Sequence, residues 1–165
     1  MFELKPLSRE AIPSALGKAM RYRLLNEPLE AESISLDVLE IDRDNQEALV
    51  TLILSLTDQI EQRAGAIQEA RDLLSRLPNE YSRAYYAGII CEREAKVQWR
   101  RRGPGSGFAA YGWLRDAMEW YEQAEAVRPS GNDDAILRWN SCARMIMHYP
   151  ELKPEPADTS QPMLE

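Results

Sequence analysis

From Ile12 onward, apolar residues recur at every third or fourth position and almost nowhere at every second. That spacing belongs to helices with one buried face, not to strands. The stripe Ile12, Leu16, Ala19 and Met20, with Ser8 as a cap and Pro13 in the first turn, predicts a first helix ending near Asn26. Pro28 starts a second, which turns Leu29, Ile34, Val38, Leu39 and Ile41 inward before the polar break 42–45. Asp44 or Asn45 caps a third helix over 46–62, with Leu49, Leu52, Ile53, Leu56 and Ile60 on its inner face. A break at Ala64 and Gly65 leads to a fourth over 66–77, which Pro78 stops.

Asn79 caps the fifth helix, which runs to about Arg101 and is longer than those before it. A glycine connection follows, then a sixth helix from Ala109 to Val127, closed by Pro129. A last helix over 132–148 carries Trp139, Cys142 and Ile146 as its core stripe. The remainder, 149–165, is Pro-rich and polar, and reads as an extended, flexible tail. The expectation is one all-α domain over 1–148 with about seven helices, a length that buries a core without metal or disulfide staples.

Charge narrows the function classes. With 27 acidic against 20 basic residues the chain carries a net charge of -7, so its overall field opposes nucleic acid. Cys91 and Cys142 stand far apart, and the single His148 completes no metal-ligand set, so neither metal nor cofactor is expected. The cysteines read as small buried hydrophobes in a reducing compartment. No signal peptide opens the chain and no segment has the length and apolarity of a bilayer span, so a soluble cytoplasmic protein is expected, with no membrane contact.

Helix ends recur at "VLEIDRDN", "LLSRLPNE" and "AEAVRPSG", the first two offset by about one 34-residue repeat, with Arg43 where Pro78 and Pro129 stand. Small residues precede each end: Ala31, Ser35 and Val38; Ala66, Ala70 and Leu73; Ala117, Tyr121 and Ala124. On these residues the chain resembles the tetratricopeptide repeat family in a degenerate three-repeat form. The resemblance implies a right-handed superhelix of antiparallel helix pairs, an α-solenoid with repeats over 12–44, 47–79 and 81–130, an insertion near 95–110 and the capping helix 132–148. The family's first-helix small position falls on Ala19, Leu54 and Gly88, and its first-helix aromatic position on Tyr22, Thr57 and Cys91. The middle unit lacks both family aromatics and the first lacks the closing proline. An all-helical bundle without repeat geometry is the plain alternative.

The same resemblance implies a concave groove for a peptide or protein partner, lined by Leu16, Met20, Arg23, Thr51, Ser55, Asp58, Ser82, Tyr85, Ile89 and Glu92. The members that clamp a chaperone's C-terminal carboxylate use lysine, asparagine and arginine; Leu16, Met20, Leu52, Ser82 and Tyr86 stand there instead, which disfavours that partner.

The segment "WRRRGPGSGF", Trp99 to Phe108, departs most from the plan. It has no lysine followed by Ser or Thr after its last glycine, and it follows a helix, so it is no phosphate-binding P-loop. Its basic patch, Arg93, Lys96, Trp99, Arg100, Arg101, Arg102 and Phe108, reads first as a solvated helix end and second as a contact for an acidic protein surface, ahead of RNA. His148 beside Ser141 or Cys142 has no visible oxyanion donors, and the acidic pairs at 133–134 and 92–94 read as solvated faces, so no catalytic residues are assigned. The sequence thus predicts a non-enzymatic protein-interaction module. A self-associating scaffold, in which exposed tyrosines and tryptophans of the insertion pair two copies as a homodimer, is the alternative, with RNA binding and a secretion-type chaperone behind it.

Overall fold

A computed structural model describes residues 1–157, and among them every regular element is helical. The order is α1 (Ile12–Leu24), α2 (Pro28–Ile41), α3 (Gln46–Thr57), α4 (Ala66–Leu73), α5 (Glu80–Arg101), α6 (Ser106–Ala126) and α7 (Asp134–His148), with single 3-10 turns before α1 and after α4. The seven-helix, all-α expectation therefore holds. Two caps act as local chemistry requires: the Asn45 side chain accepts from the Ala48 amide at 2.9 Å, and the Asn79 side chain from the Ser82 amide at 3.2 Å. Among the described residues no helix is long and apolar enough to cross a membrane.

Three boundaries differ from the sequence expectation; the fourth helix ends at Leu73, four residues early, and passes into a 3-10 turn over Leu74–Arg76. The third helix stops at Thr57, five residues early, because polar side chains take over the carbonyls of its last turns: the Thr57 hydroxyl donates to Leu54 and the Gln59 amide to Ser55. The sixth begins at Ser106, so Gly107 and Phe108 lie inside it. Gly105, at φ +76, supplies the left-handed step that lets the chain turn into α6 within a few residues.

Each helix packs on the next in sequence, with additional contacts of α1 on α3 and α3 on α5. Such packing is common to bundles and stacked pairs alike, and a right-handed superhelical path does not follow from it. The core is divided among three clusters: Ile12, Leu16 and Val38 at the N-terminal end, Leu49, Ile53, Leu56, Leu77 and Ile90 in the middle, and Leu114, Met118, Tyr121 and Cys142 at the C-terminal end. At the last of these, α5 and α6 approach so closely that a Cβ on Gly88 would lie 2.5 Å from the Tyr121 ring. The tyrosine occupies the space of the missing side chain.

The Pro-rich segment is packed at its start rather than free. Leu152 is buried in the C-terminal cluster, and Tyr149 lies against Trp99 with ring centroids 5.3 Å apart. One leucine among prolines is too weak a pattern to predict docking, but it enters a ready-made apolar site where its burial contributes about 2 kcal/mol. Residues 158–165 of the expected tail lie outside the described residues. Gly107 makes the docking possible, since a Cβ there would sit 2.4 Å from the Glu151 carbonyl oxygen. Gly107→Ala is expected to lower stability by about 1 kcal/mol, overpacking outweighing the better helix propensity. Thermal unfolding measures it, together with faster proteolysis near Leu152.

Candidate protein-binding site

The groove expected from the sequence does not form as a binding surface. Leu16, Thr51, Ser55, Ile89 and Glu92 are buried and unable to touch a partner. Ser55 donates its hydroxyl to the Thr51 carbonyl at 2.7 Å, so that side chain is satisfied inside the α3 ladder. Arg23, Asp58, Ser82 and Tyr85 are half-buried, and Met20 is exposed. Arg23 donates to Asp58 at 2.8 Å, while Arg93 approaches the other oxygen of Asp58 at 3.3 Å, so one carboxylate ties α1 to α5 across the end of α3. These charges hold helices together instead of facing a ligand.

Glu92 is the clearest case. Its carboxylate is 2 % exposed, yet it accepts from the Tyr121 hydroxyl of α6 at 2.6 Å, from Lys96 one turn on, and from Arg138 of α7 at 3.4 Å. Burial alone would raise the carboxyl, but the hydrogen bonds and charges of Lys96, Tyr121 and Arg138 outweigh it and hold the group below its usual range. Burial, and then the Glu92 charge, push the Tyr121 phenol far upward, so it stays a donor.

The sign for stability follows from that lowered value. The folded state holds the ionised form more tightly, so the contribution is present above the ordinary carboxylate value of 4.5 and is lost as pH falls through the lower folded value. Glu92→Gln is expected to flatten the acid limb of the stability–pH curve below about pH 4.5, measured by urea unfolding at a series of pH values. An unchanged acid limb would show that other groups carry it.

The basic patch is likewise partly spoken for. Arg93 is paired with Asp58, Lys96 with Glu92, and Arg100 with Glu61 at 3.1 Å. Arg101 and Arg102 are exposed and have no carboxylate partner among the described residues. Trp99 and Phe108 are half-buried against the start of the C-terminal segment.

A different surface is more open to a partner. Between α3 and α5 the chain makes an eight-residue connection, the short α4 and a 3-10 turn. Helix α4 is sharply two-sided: Ala66 and Ala70 are fully buried, with Ile67, Leu73 and Leu74 packed beside the middle cluster, while Gln68, Glu69 and Asp72 face out. Gln68 donates to Asp72 at 2.8 Å, and Arg63 reaches both Glu69 and Glu32, bracing the connection against α2 and α4. Beside this face, Arg71 lies over the Trp113 ring of α6, 5.0 Å from its centroid, at a depression of about 430 Å³ floored by Ala87 and Cys91. Burial raises the Cys91 thiol to about 11, which leaves it unreactive at neutral pH. Among the described residues no cluster of three or more His, Cys, Asp or Glu is placed to hold a metal ion.

Residues 57–93 match a family model, that of the DnaB-helicase binding domain of primase. That family binds a helicase. The match runs from the end of α3 through α4 to the middle of α5, less than a quarter of the 165 residues. No curated protein and no solved structure matches the chain. The finding overturns the tetratricopeptide resemblance, since the matching family is a different one. The small residues that carried the resemblance, Ala31, Ala66 and Ala117 among them, are fully buried, and small residues are what any close helix pair needs; they report packing distance and not ancestry. Sequence reasoning passed over Gln68, Glu69 and Asp72, because a polar stripe opposite an apolar one reads as an ordinary solvated face.

Proposed function

We propose that this chain is a non-enzymatic protein-interaction module whose partner is a DnaB helicase, met through the α4–α5 region. The match of residues 57–93 to a helicase-binding domain carries the reading. Geometry supports it: the matched stretch includes the short helix whose outer face is polar, with Glu69 paired to Arg63 and Asp72 without a cation partner among the described residues, seated on buried alanines. Such a face selects a partner surface of positive charge and adds to the association rate at low salt. The reading retains a protein partner from the sequence analysis and replaces the groove by a convex helical face.

Purified chain and purified DnaB helicase from the same source are the test. Co-elution on gel filtration, with binding that weakens as salt rises, is the expected result. Separate elution at micromolar concentrations of both proteins sinks the proposal.

A further inference from the structure

The turn between α5 and α6 holds a second surface that the helicase reading does not use. Here the end of α5, the first turn of α6 and the docked C-terminal segment enclose a depression of about 710 Å³. That volume lies within the range of small-molecule sites. Its apolar wall is aromatic: Trp99, Tyr149 and Phe108, the first two already in contact at 5.3 Å. Its polar wall is Arg102 and Lys153, with Glu151 beside them.

Arg102 is the informative residue. It closes α5 in the left-handed conformation, φ +47 and ψ +29, a position where helices usually place glycine. Gly103 stands one residue later, so a glycine cap was available at the cost of a single shift in register. An arginine is kept in a conformation its Cβ disfavours, at the rim of a cavity, without a carboxylate partner among the described residues. Backbone strain at a cavity is a reason to look for a ligand. Gly105 and Ser106 also line the depression without bulky side chains, while Gly107 is covered by the docked Glu151 backbone.

We propose that this depression binds a nucleotide unit, its phosphate held by Arg102 and Lys153 and its base lying on the aromatic wall of Trp99, Tyr149 and Phe108. Cations alone would suit any anion, including an acidic peptide. The three rings decide between them: base faces stack on aromatic side chains, whereas a run of carboxylates has no use for them. The other cations of the patch narrow the site further: Arg93, Lys96 and Arg100 are engaged with Asp58, Glu92 and Glu61, and of the two arginines without a carboxylate partner among the described residues, Arg102 lines the depression. The chain's net charge of -7 opposes the ligand at long range, so the contact is short and salt-sensitive.

Fluorescence anisotropy of a labelled oligodeoxythymidylate of about eight nucleotides, titrated with the full chain at low salt, measures binding. Thymidine 5′-monophosphate and oligoglutamate are the competitors. Displacement by the mononucleotide assigns the site to free nucleotide, and binding of the oligomer without such displacement assigns it to a single strand; either supports the proposal. Trp99→Leu is expected to weaken binding about tenfold. Arg102→Gly gives the sharper signature: affinity falls about tenfold while the melting temperature holds or rises, because glycine relieves the left-handed cap. No binding by the unmodified chain, equal displacement by oligoglutamate, or affinity unchanged in both variants would overturn the proposal.

Discussion

Tyr121→Ala is expected to remove about 4 kcal/mol of stability, a large part of what a domain of this size possesses. Its ring is fully buried, fills the notch over Gly88 and touches Tyr85 at 5.9 Å between centroids. Truncation leaves a cavity at the α5–α6 contact and strips a hydrogen bond from a buried carboxylate. Tyr121→Phe separates the two effects: the ring stays, and only the hydroxyl that donates to Glu92 at 2.6 Å is lost. That loss costs about 1–3 kcal/mol, since a charged acceptor loses a donor where water has little access. Urea unfolding of both variants, with Glu92→Gln to close a double-mutant cycle, apportions the network. A Tyr121→Phe protein as stable as the parent would show that Lys96 and Arg138 alone satisfy Glu92.

Charge reversal on the outer face of α4 carries the largest functional effect. Gln68→Arg with Asp72→Arg replaces an exposed hydrogen-bonded pair, so the fold loses little. Binding of the DnaB helicase is expected to fall tenfold or more, as a face chosen for positive charge meets like charge. Arg144→Glu, exposed on α7 and outside the matched segment, is expected to bind as the parent does. Surface plasmon resonance on the three proteins decides it, and loss of binding in Arg144→Glu alone would move the contact to α7.

Seven helices were legible because their signals are local. A stripe such as Leu49, Ile53 and Leu56, a cap such as Asn45 or Asn79, and a breaker such as Pro78 act within a turn or two. The candidate site was not legible: the sequence reading placed partner contacts in a groove and on the basic patch, not on the α4 face. Glu92 and Ser55 were assigned to a groove because a family register put them there, yet Glu92 meets Tyr121 and Arg138, residues 29 and 46 positions later. No period along the chain announces such a meeting. The α4 face shows the converse: its polar stripe was visible, and nothing local distinguished it from any other wetted helix.

For this chain, then, the residues by themselves determined the helical class, the order of the helices and the acidic field, because propensity, capping and net charge are properties of short stretches or of the whole sum. Tertiary structure decided which charges are spent. It turned Arg23, Arg93 and Arg138 into ties between helices, buried Leu152 in a segment that looked free, and left Arg102 strained and without a carboxylate partner at a cavity. The physical reason is common to all: the free energy of a buried charge or a docked leucine depends on partners far away in sequence, and only the packed chain brings them within reach.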